Sequence, residues 1–513
     1  MNHTIAMSSF NCVVFPTKIM LIEKLSYMNS IVWPFVVWYK PDVNAQNGSI
    51  LMMQDLQLSG GEGPVYRRLA DAIADRIASG LLTAGERLPP QREIAQSLGI
   101  NVTTVTRAFS TLQERGLIDA RPGRGMLVAD QKNDAGAGFV SAPSEEAGIV
   151  DLSINRPATN AYLDVFTALL PRLAKNRHYD SIQDYHPAEG PLWARTAVAD
   201  WLKPVAGDGD PGRVVLTIGA QHALDCVLSA VTQKSDVILA DEVTYQGINA
   251  LCRSHGLDLR GLAMDKGGLR PDAFDAACVQ WRPRAVFLVP SLHNPTTITL
   301  SETRRREIVE IARRHNVLII EDDVYRPLLN ESPPSFASLE PELTVYIGGF
   351  SKCVAPGLRF GFAIGPRFMM GQVAAALRIN CWSVNPMAAL IATILLEEGT
   401  AVEVIDAQKA ELSQRQHILI EMLGDFDLQT DVTSTHAWLH LPEPWRGASF
   451  ARTCLQRGVG VLPGDAFAVG REPVQHGVRI NIGAARSRDD LRRALKIMRE
   501  LLEAGHLQIP GFV

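Results

Sequence analysis

The chain lacks the features that would place it in a special class. Its seven cysteines, at 12, 226, 252, 278, 353, 381 and 454, are an odd number with no CxxC pair. They suggest neither a zinc site nor a disulfide framework, no metal is expected, and a reducing cytoplasm fits best. No apolar run approaches the ~20 residues of a membrane span: the patch Ile31 to Tyr39 is short and broken by Pro34. No basic start followed by a clean apolar core marks a secretion signal. Excess positive charge is missing too, since a net charge of -5 argues against a uniformly basic nucleic-acid coat while leaving room for a local basic face. What is present, 46% hydrophobic and 20% charged residues over 513 positions, is globular composition with enough length for several domains, each with its own core. Residues 1–61 receive no function. Met52 and Met53 stand just before the first well-patterned segment, so residues 1–51 read as an upstream extension or a mis-assigned start.

From Pro64 the pattern sharpens. Tyr66, Leu69, Ile73 and Ile77 are spaced as one face of a helix ending at Gly80. A second, short helix runs from Arg92 to Leu98, with Gly99 suited to the position after its end. Asn101 is the N-cap of a third, Val102 to Gln113, which buries Val105, Phe109 and Leu112. Helix, tight turn, helix is a DNA-reading arrangement. Beyond it, 117–120 and 126–128 pair as strands about Arg121-Pro-Gly-Arg-Gly125, a wing whose Arg121 and Arg124 are suited to phosphate or the minor groove. Between 64 and 129 nine Arg against six Asp or Glu leave +3, opposite in sign to the chain's -5. The segment resembles the winged-helix domain of the GntR family in its LxxGERLPPxREIA entry, TTV recognition helix and GRG wing. That resemblance implies binding to double-stranded DNA, with Arg92 on phosphate, Thr103 and Thr104 facing the DNA and Arg107 alongside. The segment departs from the family at Val102 and Thr106, where many members carry arginine.

Residues 131–149 have linker composition, rich in Ala, Gly, Ser and acid. From 150 onward, short apolar strands (214–218, 237–240, 285–289, 318–320, 345–347) alternate with helical stretches, which implies a largely parallel sheet covered on both faces. Ligands bind at the carboxyl ends of such strands. At those ends stand Gly219-Ala220-Gln221, a helix N-terminus suited to phosphate; Tyr245 in DEVTYQG; Asn294 before a proline; Asp322 and Tyr325 in EDDVYRPL; and, in GGFSKCVAPGLRFGF, Ser351, Lys352 and Arg359. Taken singly, each has a bland reading as packing, cap or salt bridge. An apolar setting would lower the pKa of Lys352 and favour its attack on an aldehyde, while Arg359 can fork onto phosphate.

Together these motifs make 150–513 resemble a fold-type I aminotransferase, an α/β fold that uses pyridoxal 5′-phosphate (PLP). The likeness implies that Lys352 holds the cofactor covalently and that Asp322 pairs with the pyridine nitrogen. Asn294 and Tyr325 would bond the 3′ oxygen, and Tyr245 would stack on the ring. Ala220, Gln221, Ser351 and Arg359 would hold the phosphate, with Tyr185 reaching the phosphate of a neighbouring subunit. Arg479, in HGVRINIG, would clamp an α-carboxylate. Gly349 stands where relatives often carry Thr or Ser. The whole arrangement, a winged helix at 62–130 ahead of this domain, is similar to the MocR-type regulators. It implies a homodimer that senses an amino acid or amine; the alternative is a working aminotransferase with a DNA-binding head.

Overall fold

Segments with a clear apolar period fold into two units that divide between Lys132 and Asn133. The computed structural model describes residues 64–78, 81–83, 85–114, 117–121, 125–128, 148–470 and 476–505, and before them three backbone strands, Asn11–Phe15, Lys18–Ile22 and Val37–Tyr39, paired antiparallel. Gly80, Arg124 and most of the expected linker lie outside the described residues.

In the first unit three helices, Val65–Ala78, Gln91–Leu98 and Val102–Glu114, bury Leu69, Ile73, Ile94, Val105, Phe109 and Leu112 against one another. Their ends follow from local chemistry. Gly99 adopts φ 64, the left-handed conformation that costs glycine least, and its N–H closes the helix onto Ala95 and Gln96. Two residues later Asn101 Oδ1 accepts from the Thr103 N–H at 3.0 Å, taking up one of the free donors that begin the third helix. Strands Ile118–Arg121 and Gly125–Val128 then pair antiparallel, Ile118 opposite Val128 and Arg121 opposite Gly125.

The second unit is built on a seven-stranded sheet in the order 214–217, 361–364, 344–349, 318–322, 285–288, 237–241, 258–262. Every pairing is parallel except the two made by Gly361–Ile364, which runs antiparallel to both neighbours. Alternation along the strands divides the core: Ile238, Ala240, Phe287 and Ile320 point into one apolar cluster, and Leu239, Val286, Leu288 and Ile319 into another on the opposite face. The expected strands are present at their expected places; Gly361–Ile364 and Asp258–Leu262 are additional. Gly348 and Gly349, beyond the end of the expected strand 345–347, complete the strand Thr344–Gly349, because the inserted strand supplies hydrogen-bond partners at Phe362 and Gly361. A second, four-stranded antiparallel sheet carries Arg479 on its strand Gly477–Ile480. Among the described residues no helix is long and apolar enough to cross a membrane.

Candidate functional site

Polar side chains converge where the parallel strands end. Asp322 closes the strand Leu318–Asp322 and is 6% exposed, with Oδ1 lacking a hydrogen-bond partner among the described residues. Burial, then the neighbouring Asp323, push its carboxyl up to about 7. Lys352 lies just beyond the strand Thr344–Gly349, half-buried, its Nζ donating to the Asn155 carbonyl at 2.8 Å. Desolvation, reinforced by Arg479 and opposed by Asp322, brings this amine down to about 8. Its setting is more polar than the flanking apolar sequence suggests.

Facing these groups, Arg479 is 3% exposed; Nη1 donates to Asn294 Oδ1 at 2.8 Å, Nη2 donates to the Ser153 carbonyl, and the guanidinium stands 4.9 Å from the Phe467 ring centre. Burial lowers even this guanidinium to about 10. Asn294 itself precedes a cis proline peptide. The Tyr325 hydroxyl accepts from Asn155 Nδ2 at 2.7 Å, and its ring lies 5.4 Å from that of His436. Tyr245 donates to Gln221 Oε1 at 2.9 Å from the start of the helix Gln246–His255. Burial raises both phenols, so both stay protonated donors.

A cradle lies beside this cluster at the N-terminus of the helix Ala220–Val231. Gly219 precedes the helix at φ 81, and a Cβ there would sit 2.6 Å from Arg359 Nη2. A Cβ on Gly361 would come within 2.5 Å of the Gly219 carbonyl carbon and 2.8 Å of the Ala220 nitrogen, and one on Gly349 within 2.9 Å of the Phe360 oxygen. Glycine at 349 therefore answers to backbone crowding, and a Thr or Ser side chain there would require that backbone to shift. Arg359 donates to the Ile218 carbonyl at 3.0 Å and to Ser351 Oγ at 3.3 Å. It is exposed, and it holds a left-handed turn at φ 50.

In the first unit, Arg92, Thr103 and Arg107 are exposed and Thr104 is half-buried beside Val65 and Tyr66. Arg121 ends a wing strand with its side chain outside the described residues, as is all of Arg124. Tyr185 does not join the cluster in its own chain: it is 89% exposed, with its ring 5.7 Å from Trp382.

Comparison with known proteins gives this geometry a context. Residues 147–498 match the family described as aminotransferase class I and II. The chain belongs to that family. In addition to this aminotransferase-class domain, residues 65–128 match bacterial regulatory proteins of the gntR family, so the chain joins a DNA-binding head of that type to it. Among full-length relatives are an uncharacterized HTH-type transcriptional regulator, YdeF of Bacillus subtilis, 26% identical over 86% of this chain and 95% of its own, and the vitamin B6 salvage pathway transcriptional repressor PtsJ of Salmonella typhimurium, 25% identical over 82% and 95%. A probable rhizopine catabolism regulatory protein, MocR of Rhizobium meliloti, is 27% identical over 59% and 66%. Among solved structures, the LysN α-aminoadipate aminotransferase of Thermus thermophilus superposes with a TM-score of 0.64 at 22% identity, covering 73% of this chain and 98% of its own, a likeness of fold.

The aminotransferase-class domain is fitted to its family's cofactor, PLP. Asp322 presents a buried carboxylate oxygen with no partner among the described residues, as a protonated pyridine nitrogen requires. The glycines at 219, 349 and 361 keep side chains away from the helix N-terminus, as close approach of a phosphate requires. Bound there, PLP supplies an aldehyde and an electron-withdrawing ring.

Sequence reasoning missed several members of the site in this domain. Asn155 contacts Lys352 through its carbonyl, donates to Tyr325, and accepts from Thr435 Oγ1 at 2.8 Å. His436 lies buried behind Tyr325, its Nε2 3.1 Å from the His293 carbonyl, and burial lowers its ring to about 3. Asn155 and Thr435 are 280 positions apart. Neither carries a local motif; the run of small and polar residues at 433–436 ahead of an apolar strand was the one available sign.

Proposed function

We propose that the chain is a PLP-dependent transcription regulator whose aminotransferase-class domain senses an amino acid or amine and whose winged helix reads DNA. The observation that carries this reading is that one chain holds both the DNA-reading head and a cluster, Lys352, Asp322, Asn294, Tyr325 and Arg479, in which each side chain answers a separate need of one ligand. In this reading Lys352, whose amine is neutral in a substantial fraction near pH 8, holds the cofactor covalently. Asp322 keeps the pyridine nitrogen protonated, Asn294 and Tyr325 orient the ring oxygen, and Tyr245 covers the ring face. Ala220, Gln221, Ser351 and Arg359 receive the phosphate.

Arg479 binds the effector's carboxylate by exchanging its contacts with Asn294 and Ser153 for a charged partner. An effector alters DNA reading only so far as it binds one arrangement of the protein better than another. Turnover is not required. A homodimer is part of the proposal: Tyr185, an aromatic side chain left 89% exposed beside Trp382, suits a contact with the partner's phosphate site. So is a cytoplasmic location, in keeping with the free cysteines of the described residues. A working aminotransferase is less favoured, since full-length relatives bear regulator names.

The test is a gel shift on the gene's own upstream region, with and without PLP and then across a panel of amino acids. PLP and one amino acid should each change the shift. Borohydride reduction of the loaded protein should fix the cofactor on Lys352, and Lys352→Ala should lose it. An unmodified Lys352 in the wild type, or a DNA shift indifferent to PLP and to every amino acid, overturns the reading.

A further inference from the structure

The recognition helix points to the kind of base pair it reads. Along Val102–Glu114 the residues Val105, Ala108, Phe109 and Leu112 are buried, while Val102, Thr103, Thr106, Arg107, Ser110 and Gln113 are exposed and Thr104 is half-buried. Val102, apolar and 40% exposed at the first position of the helix, lies outside the domain's apolar cluster. Beside it the two threonines have committed their hydroxyl protons inside the domain. Thr103 Oγ1 donates to Asn101 Oδ1 at 3.0 Å, the same oxygen that caps the helix. Thr106 Oγ1 donates to Gln91 Oε1 at 2.7 Å and lies 3.0 Å from the Val102 carbonyl. These three exposed side chains, Val102, Thr103 and Thr106, therefore offer methyl groups and acceptor oxygens with both hydroxyl protons already engaged.

That chemistry selects among base pairs. In the major groove guanine shows two acceptors, N7 and O6, which call for a donor; an A·T pair shows the adenine amino group, which calls for an acceptor, and, beyond the thymine O4, the thymine methyl, which calls for an apolar surface and which no G·C pair carries. Helix-turn-helix domains bring the N-terminal residues of the recognition helix to base edges. We propose that Val102, Thr103 and Thr106 read A·T pairs through thymine 5-methyl groups, and that the operator half-site is A·T at the positions facing this turn. The inference rests on the DNA-reading function above and adds its specificity. Arg107, one turn further on, faces phosphate or the flanking base.

The experiment uses the full chain loaded with PLP. Duplexes are selected from a random pool, and each thymine of the enriched half-site is then replaced by deoxyuridine, which removes the 5-methyl and leaves every hydrogen-bonding group in place. Binding should weaken about fourfold for each methyl that the helix covers, at two or three thymines per half-site. Val102→Ala, a change on the surface, should abolish the deoxyuridine effect at one of them and leave the others. Val102→Arg should move the preference at that position toward guanine. A half-site with G·C pairs facing the turn, or tight binding indifferent to deoxyuridine at every thymine, overturns the inference while leaving DNA reading intact. Failure to enrich any duplex overturns the DNA-reading function and this inference with it.

Discussion

Asp322 illustrates a conflict between stability and binding at the scale of one residue. Its folded carboxyl titrates at about 7, above the ordinary value of 3.8. Between those values the folded chain holds a proton that the unfolded chain has released, so stability falls as pH rises through the window, and the full cost applies above 7. Asp322→Asn should stabilise the cofactor-free protein by roughly 1–3 kcal/mol at pH 8 and little at pH 4, while weakening PLP at least about tenfold. Denaturant unfolding at the two pH values and a PLP titration check both halves. His436 has the opposite sign. Its ring is neutral in both states above 6.5; as pH falls toward its folded value of about 3, only the unfolded chain takes up a proton, and stability is lost. His436→Gln should flatten the acid limb of the stability curve between those values. Asp322 was legible in sequence because it ends an apolar strand, whereas His436 was not, because its partners His293 and Asn155 lie 143 and 281 positions away.

Among the elements, glycine at 361 keeps the inserted strand close to the helix that begins at Ala220. Gly361→Ala places a methyl 2.5 Å from the Gly219 carbonyl carbon, where only backbone could move. It should cost about 1–3 kcal/mol in stability and reduce PLP affinity more than Gly371→Ala, a helical glycine with nothing within 4 Å of its added carbon. Thermal melts and PLP binding distinguish the two. In the first unit, Asn101→Ala removes the cap of the recognition helix and releases the Thr103 hydroxyl; a loss of about 1 kcal/mol in stability is expected, with weaker binding to a selected duplex. The cap, the left-handed Gly99 and the five parallel strands were readable from runs and punctuation. The strand Gly361–Ile364 was not, since its four residues acquire an identity only from Thr217 and Gly349 on either side.

At the scale of the whole molecule, charge separates the two units. The chain carries -5 in total, so attraction to DNA must come from the local arginines of the head. If Arg92, Arg107, Arg121 and Arg124 each meet a phosphate in two copies, about eight counterions are released and the log–log slope of affinity against salt should lie near -7. Fluorescence anisotropy at several salt concentrations measures it, and a single binding head would give about half that slope. By itself the sequence determined that there are two units, of which kinds, and which residue types close the strands, because apolar period, turn residues and charge act over a few neighbours. Tertiary structure alone decided that Asn155 meets Lys352, that Arg359 stands exposed, that backbone crowds position 349, and that Thr103 and Thr106 of the recognition helix turn their hydroxyl protons inward. Those outcomes depend on which distant backbone comes close and which hydroxyl finds a partner, and no short stretch of chain encodes either.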